Sequence, residues 1–237
     1  MSIASQLAPT GVLRVGIWTV PFFARGRGGA LKGIIPDLGH EFARRAGVPA
    51  ELSGYANPGG LVAAFRAGAL DVTFVGITAD RAEAMDFGPV IFEIQTTYLV
   101  PAESTIASIA EIDRPGVRIA VPAPSAQEAH LKQIVTHATL VPVALENPKA
   151  ALDLLANGEA DAFSHVAPML AAAQGGLPGS RILPGSYFNV PIVIGIAQGR
   201  APAAAELARA FVADVKASGF AQRAIDRAGV KGMVVVS

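Results

Sequence analysis

The chain has 237 residues, of which 51% are hydrophobic and 16% are charged, against roughly 25% charged residues in an average soluble domain. Its 19 basic side chains balance its 19 acidic ones, so the composition gives no electrostatic case for a nucleic-acid partner or an anionic membrane. The absence of cysteine excludes disulfides, thiolate metal sites and cysteine nucleophiles, and it leaves the redox compartment open.

The first residues, MSIASQLAPTG, have no basic stretch followed by an apolar one, and we expect no signal peptide in this numbering. Two explanations stay open: a leader was removed, or none existed. No apolar run approaches the ~18 residues of a membrane-spanning helix, so we expect a soluble chain.

The first part of the chain predicts an alternation of strands and helices. Residues 13–17 alternate apolar with small or polar side chains, which is typical of a strand, and a glycine-rich turn at 26–29 follows. Apolar residues at every fourth position of 38–46 predict one face of a helix. Gly47 ends that helix, because glycine adopts the left-handed conformation without a steric penalty.

Two later stretches share one pattern: a helix, a glycine that ends it, and an aspartate that opens a strand. Gly68 and Asp71 belong to the first stretch, and Gly158 and Asp161 to the second. The predicted helices lie at about 61–67 and around 152–155, and the predicted strands at 72–77 and 162–164. Strands separated by helices need crossover connections, so the repeat favours two similar α/β lobes, with one larger sheet as the alternative.

The remaining elements complete an α/β chain. Thr97–Val100 reads as extended chain, and Pro101 follows it, which indicates a crossing between the lobes. After the second repeat, a proline-rich stretch leads to a strand at 192–197. A final helix, with its apolar face in 207–215, ends at Gly219 and closes the chain.

Five segments, in order, carry a resemblance to a known family. They are LRVGIW (13–18), GIIPDLGHEFARRAG (33–47), FRAGALDV (65–72), DRAEAMDFGPVIF (80–92) and the strand and helix at 192–219. Each is a weak signal alone. Together they span nearly the whole chain and resemble the family 3 bacterial solute-binding proteins, which are known best as the amino-acid receptors of ABC importers.

The resemblance implies the type II periplasmic binding protein fold, with two similar α/β lobes, a cleft between them and a two-strand hinge. Residues 1–98 and 190–237 would form the first lobe, and 99–189 the inserted second lobe. The crossings would be Thr97–Pro101 and Tyr187–Pro191. By the same resemblance we expect a monomeric periplasmic protein that closes on a small carboxylate ligand and works with a membrane permease, without a cofactor or metal.

The family's carboxylate receptor is an arginine just after a strand, and Arg81 takes that place in GITADR. A planar guanidinium offers a carboxylate two parallel N–H donors, which lysine cannot reproduce. Gly76, Ile77 and Thr78 would line the same site. This segment is about two residues shorter than in most amino-acid receptors. The alternative interpretation of Arg81 is an exposed side chain that caps a loop.

The second lobe would complete the carboxylate site with RIAVPAPSAQEAHL. Ser125 is a good N-cap, and the free N–H groups that begin with Ala126 favour an anion. Pro124 removes one such donor. Ser125 as a cap without any ligand is an equally weighted alternative.

Two departures from the amino-acid receptors bear on the ligand. The acids that receive the α-ammonium are replaced by Trp18, at the end of the first strand, and by Val166. Burying an ammonium without a carboxylate is costly, so we expect a carboxylate ligand that lacks the amine. Trp18 suits a flat or apolar ligand, with core packing as its alternative. Of Phe22 and Phe23, one would line the pocket and the other the core.

The chain lacks the common catalytic motifs. It has no Gly-x-Ser-x-Gly elbow, no P-loop and no His-Glu-x-x-His, and GRGGA (26–30) lacks the third glycine of a dinucleotide loop. His130 and His137 are expected to be structural or surface residues, and His165, on a predicted strand, is expected to be satisfied rather than metal-bound.

We therefore expect a binding protein rather than an enzyme, with His165 beside the missing acid as a further ligand contact. Some members of this fold are small dehydratases, and that alternative needs a general acid or base, for which His165 and Glu93 are the candidates. A sensor module without its own ligand is the third possibility.

Overall fold

The computed structural model describes residues 6–26, 31–145 and 147–236. Most of the predicted glycine-rich turn, and of the GRGGA segment, lies outside the described residues. The chain divides into two compact units, Met1–Glu93 with Pro191–Ser237, and Ile94–Val190. Among the helices described, none is long and apolar enough to cross a membrane.

Strands and helices alternate along most of the chain. In order they are β1 (Leu13–Trp18), α1 (Ile34–Ala46), β2 (Ala50–Tyr55), α2 (Pro58–Arg66), β3 (Val72–Gly76), α3 (Ala79–Ala82), β4 (Met85–Val100), β5 (Arg118–Ala123), α4 (Ala126–Ile134), β6 (Thr139–Ala144), α5 (Pro148–Ala156), β7 (Ala162–Val166), α6 (Ala167–Ala173), β8 (Arg181–Ile182), β9 (Phe188–Ala197), α7 (Pro202–Ala217), α8 (Phe220–Ala228) and β10 (Met233–Val235). Short 3₁₀ turns occur at Ile109–Glu111 and Gln174–Gly176.

The sheet of the first unit has the strand order β2-β1-β3-β9. The strand β1 runs parallel to β2 and β3, with Val15 opposite both Leu52 and Val72. The strand β9 is antiparallel to β3, with Phe74 opposite Ile194. Because β1, β2 and β3 are parallel, their carboxyl ends meet at one edge of the sheet.

The sheet of the second unit repeats this arrangement with the order β6-β5-β7-β4. The strand β5 is parallel to β6 and β7, with Ala120 opposite Val141 and Phe163. The strand β4 is antiparallel to β7, with Tyr98 opposite Ser164. The predicted fold class, two similar α/β lobes, is confirmed.

The glycines that were predicted to end helices do so. Gly47 has a φ of 72° at the end of α1, and Gly68 and Gly158 have φ values of 68° and 67° just after α2 and α5. The start of α2 differs from the prediction, because the helix begins at Pro58 instead of near Leu61. The Asn57 side chain caps the Gly60 N–H at 2.8 Å, and proline is favoured at the first helical position.

Two parts of the chain contain more regular structure than predicted. The helix before Gly219 does not close the chain, since α8 and β10 follow it. The buried face of α8 consists of Ala221, Ala224 and Ile225, so its apolar spacing was present in the sequence and was overlooked. The extended segment at Thr97–Val100 is the end of β4, which begins at Met85.

Each unit also contains an arginine–aspartate clasp at the start of its parallel strands. Asp71, at the start of β3, accepts hydrogen bonds from the backbone N–H, Nε and Nη2 of Arg14 at 2.8–3.0 Å. Asp161, at the start of β7, accepts the same three bonds from Arg118 at 2.8–3.0 Å. Asp71 binds a second arginine, since the Nη2 of Arg200 donates to it at 2.5 Å.

Candidate ligand-binding site

Arg81 lies on α3, just after β3, and its guanidinium is turned into the protein. The side chain is only 9% exposed, and Nη1 donates a hydrogen bond of 2.7 Å to the Gly76 carbonyl. The buried Nε has no hydrogen-bond partner, and no carboxylate within the described chain forms a salt bridge with Arg81. The alternative interpretation, an exposed arginine that caps a loop, is therefore wrong.

A buried guanidinium without a counter-ion is electrostatically costly. Burial lowers the pKa of Arg81, and the nearby Asp80 raises it in part. Arginine nevertheless keeps its proton in proteins, so its charge persists and attracts an anion. Leaving a buried donor unsatisfied costs about 1–3 kcal/mol, and more for a charged group. Arg81 thus has the properties of an anion receptor.

The residues predicted to lie near Arg81 occupy one edge of the first unit's sheet. Gly76 is the last residue of β3 and is buried, whereas Ile77 is 43% exposed and Thr78 is half-buried. The register of β1 and β3 pairs Gly16 with Thr73, and extending it by two residues places Trp18 beside Val75. The carboxyl ends of β1 and β3 therefore bring Trp18 close to the segment that carries Arg81.

The aromatic residues near the end of β1 pack against one another. Trp18 is half-buried and meets Phe23 edge-on, with ring centroids 6.3 Å apart. Phe23 also packs against Phe22 and against the core residue Phe92. Phe22 is buried and lines a surface groove of about 860 Å³ in the first unit, to which Arg25, Lys32 and Arg227 also contribute.

Ser125 begins α4 in the second unit and is its N-cap, as predicted. Its Oγ accepts a hydrogen bond from the Glu128 N–H at 3.0 Å and donates one to the Pro122 carbonyl at 2.5 Å. The N–H groups of Ala126 and Gln127 have no acceptor among the described residues. This nine-residue helix therefore presents two free donors and the positive end of its dipole.

His165 lies near the end of β7 and is only 3% exposed. Its Nδ1 accepts a hydrogen bond of 2.8 Å from the Val166 N–H, so the proton of the neutral ring is on Nε2. That Nε2 is buried and has no partner in the described chain, which corrects the prediction of a satisfied histidine. Burial lowers the pKa of His165 to about 3, so the ring is neutral at physiological pH.

The strand register brings His165 to the same sheet edge as Ser125. Ala120 of β5 pairs with Phe163 of β7, and extending this parallel register by two residues places His165 beside Pro122. The Pro122 carbonyl is the group that accepts the Ser125 hydroxyl. The two residues therefore share this edge of the sheet but not one face of it. The imidazole packs against Phe163, whereas α4 packs on the opposite face, through Leu131.

An aromatic and hydroxyl network in the second unit was not predicted. The hydroxyl groups of Ser164 and Tyr187 are 2.5 Å apart, and the Tyr187 ring stacks on Tyr98 at 4.7 Å. Burial raises the pKa of Tyr187 to about 12, although hydrogen bonds oppose the shift. His130 stacks on Phe188 at 4.4 Å, consistent with the structural role predicted for it. These residues are far apart in sequence, so no local pattern signals the network.

The predicted site residues thus form two groups, one in each unit. The first unit holds Trp18, Phe22, Gly76, Ile77, Thr78 and Arg81, and the second holds Ser125, Ala126 and His165. Across the described residues, no cluster of three or more histidines and acids is placed to hold a metal ion.

Comparison of the sequence with known families places the chain in one of them. The family described as Bacterial extracellular solute-binding proteins, family 3, matches residues 13–228. The chain belongs to this family. Family 3 proteins are extracytoplasmic solute-binding proteins of ABC amino-acid transporters. No curated protein sequence matches the chain.

Solved structures with the same fold are similar to the chain over nearly its whole length. The ancestral amino acid-binding protein AncCDT-1, named as a precursor of cyclohexadienyl dehydratase, is 22% identical with a TM-score of 0.73, over 96% of this chain and 99% of that one. The Streptococcus pneumoniae amino acid ABC transporter substrate-binding protein AbpA, bound to L-arginine, is 19% identical with a TM-score of 0.70, over 94% and 96%.

A third similar structure is a domain of Bordetella pertussis BvgS. The VFT2 domain of Bordetella pertussis BvgS is 18% identical with a TM-score of 0.74, over 95% of this chain and 96% of that domain. At such identities the likeness establishes the fold of this family 3 protein, and its ligand has to be inferred from its own residues.

Proposed function

We propose that this family 3 protein binds a small carboxylate in the periplasm and delivers it to the permease of an ABC importer, with Arg81 as the carboxylate receptor. The observation that carries this proposal is the buried guanidinium of Arg81, which has one bond to the Gly76 carbonyl and no acidic partner in the described chain. A bidentate carboxylate would satisfy the free donors and neutralise the charge.

The second unit supports the same ligand chemistry. The free N–H groups of Ala126 and Gln127 at the start of α4 would donate to a carboxylate without introducing a further charge. Arg81 and these N–H groups are the kind of donors that an anion requires.

We further propose that the preferred carboxylate lacks an α-ammonium. Val166 is only 5% exposed and apolar, and it stands where amino-acid receptors of the family carry an acid. Trp18 likewise replaces the acid at the end of β1. An ammonium in such surroundings would lose its hydration without gaining a counter-ion, whereas an acid without the amine avoids that cost.

A dehydratase-like enzyme is the alternative on the same fold, and the chemistry of His165 argues against that residue, one of the two candidates, as its general acid or base. A general acid or base works best with a pKa near the operating pH. The pKa of His165 is lowered to about 3 by burial, which makes the ring a neutral hydrogen-bond donor instead. The dehydratase named in one comparison is a descendant of the ancestral protein AncCDT-1.

The first experiment tests Arg81. A thermal-shift screen of organic acids and amino acids identifies a ligand, and calorimetry then compares the wild type with Arg81→Ala. We expect a loss of about 2–5 kcal/mol of binding free energy, as for the loss of one member of a buried charge pair. Arg66→Ala is the matched control, since Arg66 is half-exposed and pairs with Asp80 and Glu83. Unchanged affinity in Arg81→Ala would remove Arg81 from the site.

The second experiment tests the ligand preference through Val166→Asp. The new carboxylate should improve the binding of an α-amino acid relative to its deamino analogue by about tenfold, or 1.4 kcal/mol. Paired titrations of both ligands against both proteins give the ratio. Tight binding of amino acids by the unmodified protein would refute the preference, because backbone carbonyls would then suffice for the ammonium.

A further inference from the structure

The surface groove of the first unit is a feature that carboxylate binding by Arg81 does not use. Its volume of about 860 Å³ lies within the range of small-molecule sites. The apolar part of its lining consists of Pro21, Phe22, Phe23, Ala224 and Ala228. Of the residues predicted to bind the ligand, the described lining includes Phe22 and neither Trp18 nor Arg81. The groove is therefore a surface apart from the one that Arg81 occupies.

Two cations of the groove stand directly opposite each other. Arg25 and Lys32 form an isolated antiparallel bridge, in which each backbone N–H donates to the carbonyl of the other residue, at 2.8 and 2.9 Å. The side chains of such a pair lie on one face, with Cβ atoms about 5 Å apart, and like charges in this arrangement are destabilising. The backbone thus holds two positive charges where an anion would relieve their repulsion.

These two cations have no acidic partner within the described chain. The Nε of Arg25 donates to the Pro21 carbonyl at 3.0 Å, and the remaining donors of the guanidinium have no acceptor among the described residues. Lys32 forms no ion pair in the same part of the chain. Asp37, the acid of the described lining, is bound by Arg227 at 2.7 Å. The groove therefore carries two positive charges that nothing described neutralises.

The wall that carries the cation pair is held against the start of α1. The Ile35 N–H donates to the Phe23 carbonyl at 3.2 Å, and a Cβ at Gly33 would lie 2.6 Å from that carbonyl oxygen. Gly33 also has a φ of 138°, which only glycine adopts readily. Phe23 packs edge-on against Phe22, with ring centroids 4.7 Å apart. The aromatic lining and the cation pair thus belong to one preformed surface, as is usual for ligand sites.

We propose that this groove is a second binding site, which takes an amphipathic monocarboxylate. The carboxylate lies between Arg25 and Lys32, and the extended apolar body lies on Phe22 and Ala224. Exposed ion pairs contribute little alone, so the apolar contact supplies most of the affinity and the cations select the sign of the charge. A small hydrophilic acid would gain only the weak ion pair, and an amphipathic cation would be repelled.

Calorimetry on the full chain carrying Arg81→Ala tests the groove apart from the Arg81 site. The probes are decanoate and naphthalene-2-carboxylate. Acetate is the control for the apolar body, and decylammonium is the control for the charge. We expect at least one of the two probes to bind about tenfold more tightly than either control, and its affinity to fall as the salt concentration rises.

Two double variants that remove equal charge assign the binding to the cation pair. Arg25→Gln with Lys32→Gln should lower the affinity for the probe about fivefold. Arg181→Gln with Lys231→Gln should leave it unchanged. Arg181 is exposed and donates to backbone carbonyls, as Arg25 does, and Lys231 is exposed as Lys32 is.

A third variant tests the apolar part of the groove. Ala228 is half-buried and belongs to the lining, so Ala228→Trp should fill the groove and lower the affinity for the probe at least about tenfold. Circular dichroism checks the folding of every variant. If the double variant at Arg25 and Lys32 does not fold, Ala228→Trp and the preference for decanoate over decylammonium decide.

The outcomes separate this proposal from its alternatives and from the Arg81 site. Absence of binding by both probes would overturn it, as would equal losses in the two double variants or equal binding of decanoate and decylammonium. Probes that bind the wild type but not Arg81→Ala occupy the Arg81 site, which overturns the second site and leaves the proposed function standing. A blocked pentapeptide of alternating glutamate and leucine that binds where the probes do not would make the groove a docking surface for an acidic protein segment and overturn the small-molecule assignment.

Discussion

The two units have the same strand order and the same clasp, but the clasps lie in different surroundings. Asp71 has no exposed side-chain surface, and its two arginines, Arg14 and Arg200, are 22% and 20% exposed. Asp161 and its single arginine, Arg118, are 35% and 39% exposed. The hydrogen bonds from the first arginine are nearly identical in the two units. The two clasps therefore differ in burial and in the second arginine, and not in the geometry of the first arginine.

This difference matters because a charge pair depends on its access to water. Half-exposed pairs contribute little, since water and salt screen them and each partner is solvated when alone. A buried aspartate that binds two guanidiniums cannot be removed without leaving both cations poorly solvated. One sequence pattern thus has unequal energetic weight in the two units.

The largest effect is expected from Asp71→Asn. The amide keeps the shape of the side chain but removes the charge that binds Arg14 and Arg200, and its NH₂ group faces their donors. We expect a loss of about 3–5 kcal/mol in the free energy of unfolding, as for breaking a buried ion pair. Urea unfolding followed by circular dichroism measures it. A loss below that of Asp161→Asn would contradict the role assigned to burial.

A loss of stability of intermediate size is expected from substitution of the two matched glycines, and it should be equal in the two units. Gly68 and Gly158 have the same left-handed conformation, with φ values of 68° and 67°, and a Cβ would meet no neighbouring atom at either position. Alanine should therefore cost about 1–2 kcal/mol in each unit, from backbone strain alone. Gly68→Ala and Gly158→Ala are compared by urea unfolding. Clearly unequal losses would mean that the two helix ends differ in a way that the backbone does not reveal.

A smaller effect is expected from Asp161→Asn. The half-exposed pair with Arg118 should contribute up to about 1 kcal/mol to stability, and less at high salt. Unfolding midpoints at low and high ionic strength measure both values. A loss as large as that of Asp71→Asn, or one independent of salt, would show that exposure does not govern the two clasps.

The smallest effect on stability is expected from Asp113, and it should depend on pH. This carboxylate of the second unit accepts hydrogen bonds from backbone groups instead of binding an arginine. The N–H groups of Ala138, His137 and Thr136 donate to it and hold its pKa well below the usual 3.8. Its ionised form therefore stabilises the fold above about pH 4, and this contribution is lost as the pH falls further.

Asp113→Asn tests that contribution. The variant should be less stable than the wild type at pH 7, and the gap between them should narrow progressively as the pH falls below about 4. Asp153→Asn, at an exposed helical pair with Lys149, is the control in the same unit. A constant gap between Asp113→Asn and the wild type at all pH values would mean that the side chain acts through its shape and not through its charge.

Much of the fold was predictable because its signals are local. The apolar spacing of α1, the glycines after α2 and α5, and the serine cap of α4 each depend on residues within a few positions of one another. The end of the chain was also readable, since the buried face of α8 has a helical apolar spacing, but the prediction stopped at Gly219. Asn57 and Pro58 were readable start signals for α2, and the apolar period alone missed them.

The candidate site was predictable only in its residue types. The segment GITADR and the loop before α4 point to Arg81 and Ser125 by resemblance, and both lie where strands end. Nothing in the sequence near Tyr187 indicates its bond to Ser164, because the two residues meet only when β7 and the chain leading into β9 are folded together.

The sequence by itself determined the family, the α/β alternation and the ends of the helices. Only the tertiary structure decided that Asp71 is buried while Asp161 is half-exposed. It also decided that, among the described residues, Arg81 has no acidic partner and His165 Nε2 has no hydrogen-bond partner. The physical reason is that propensity and capping act between neighbours along the chain. Burial, and the partners available to a buried polar group, depend on residues that are distant in sequence and meet only in the folded units.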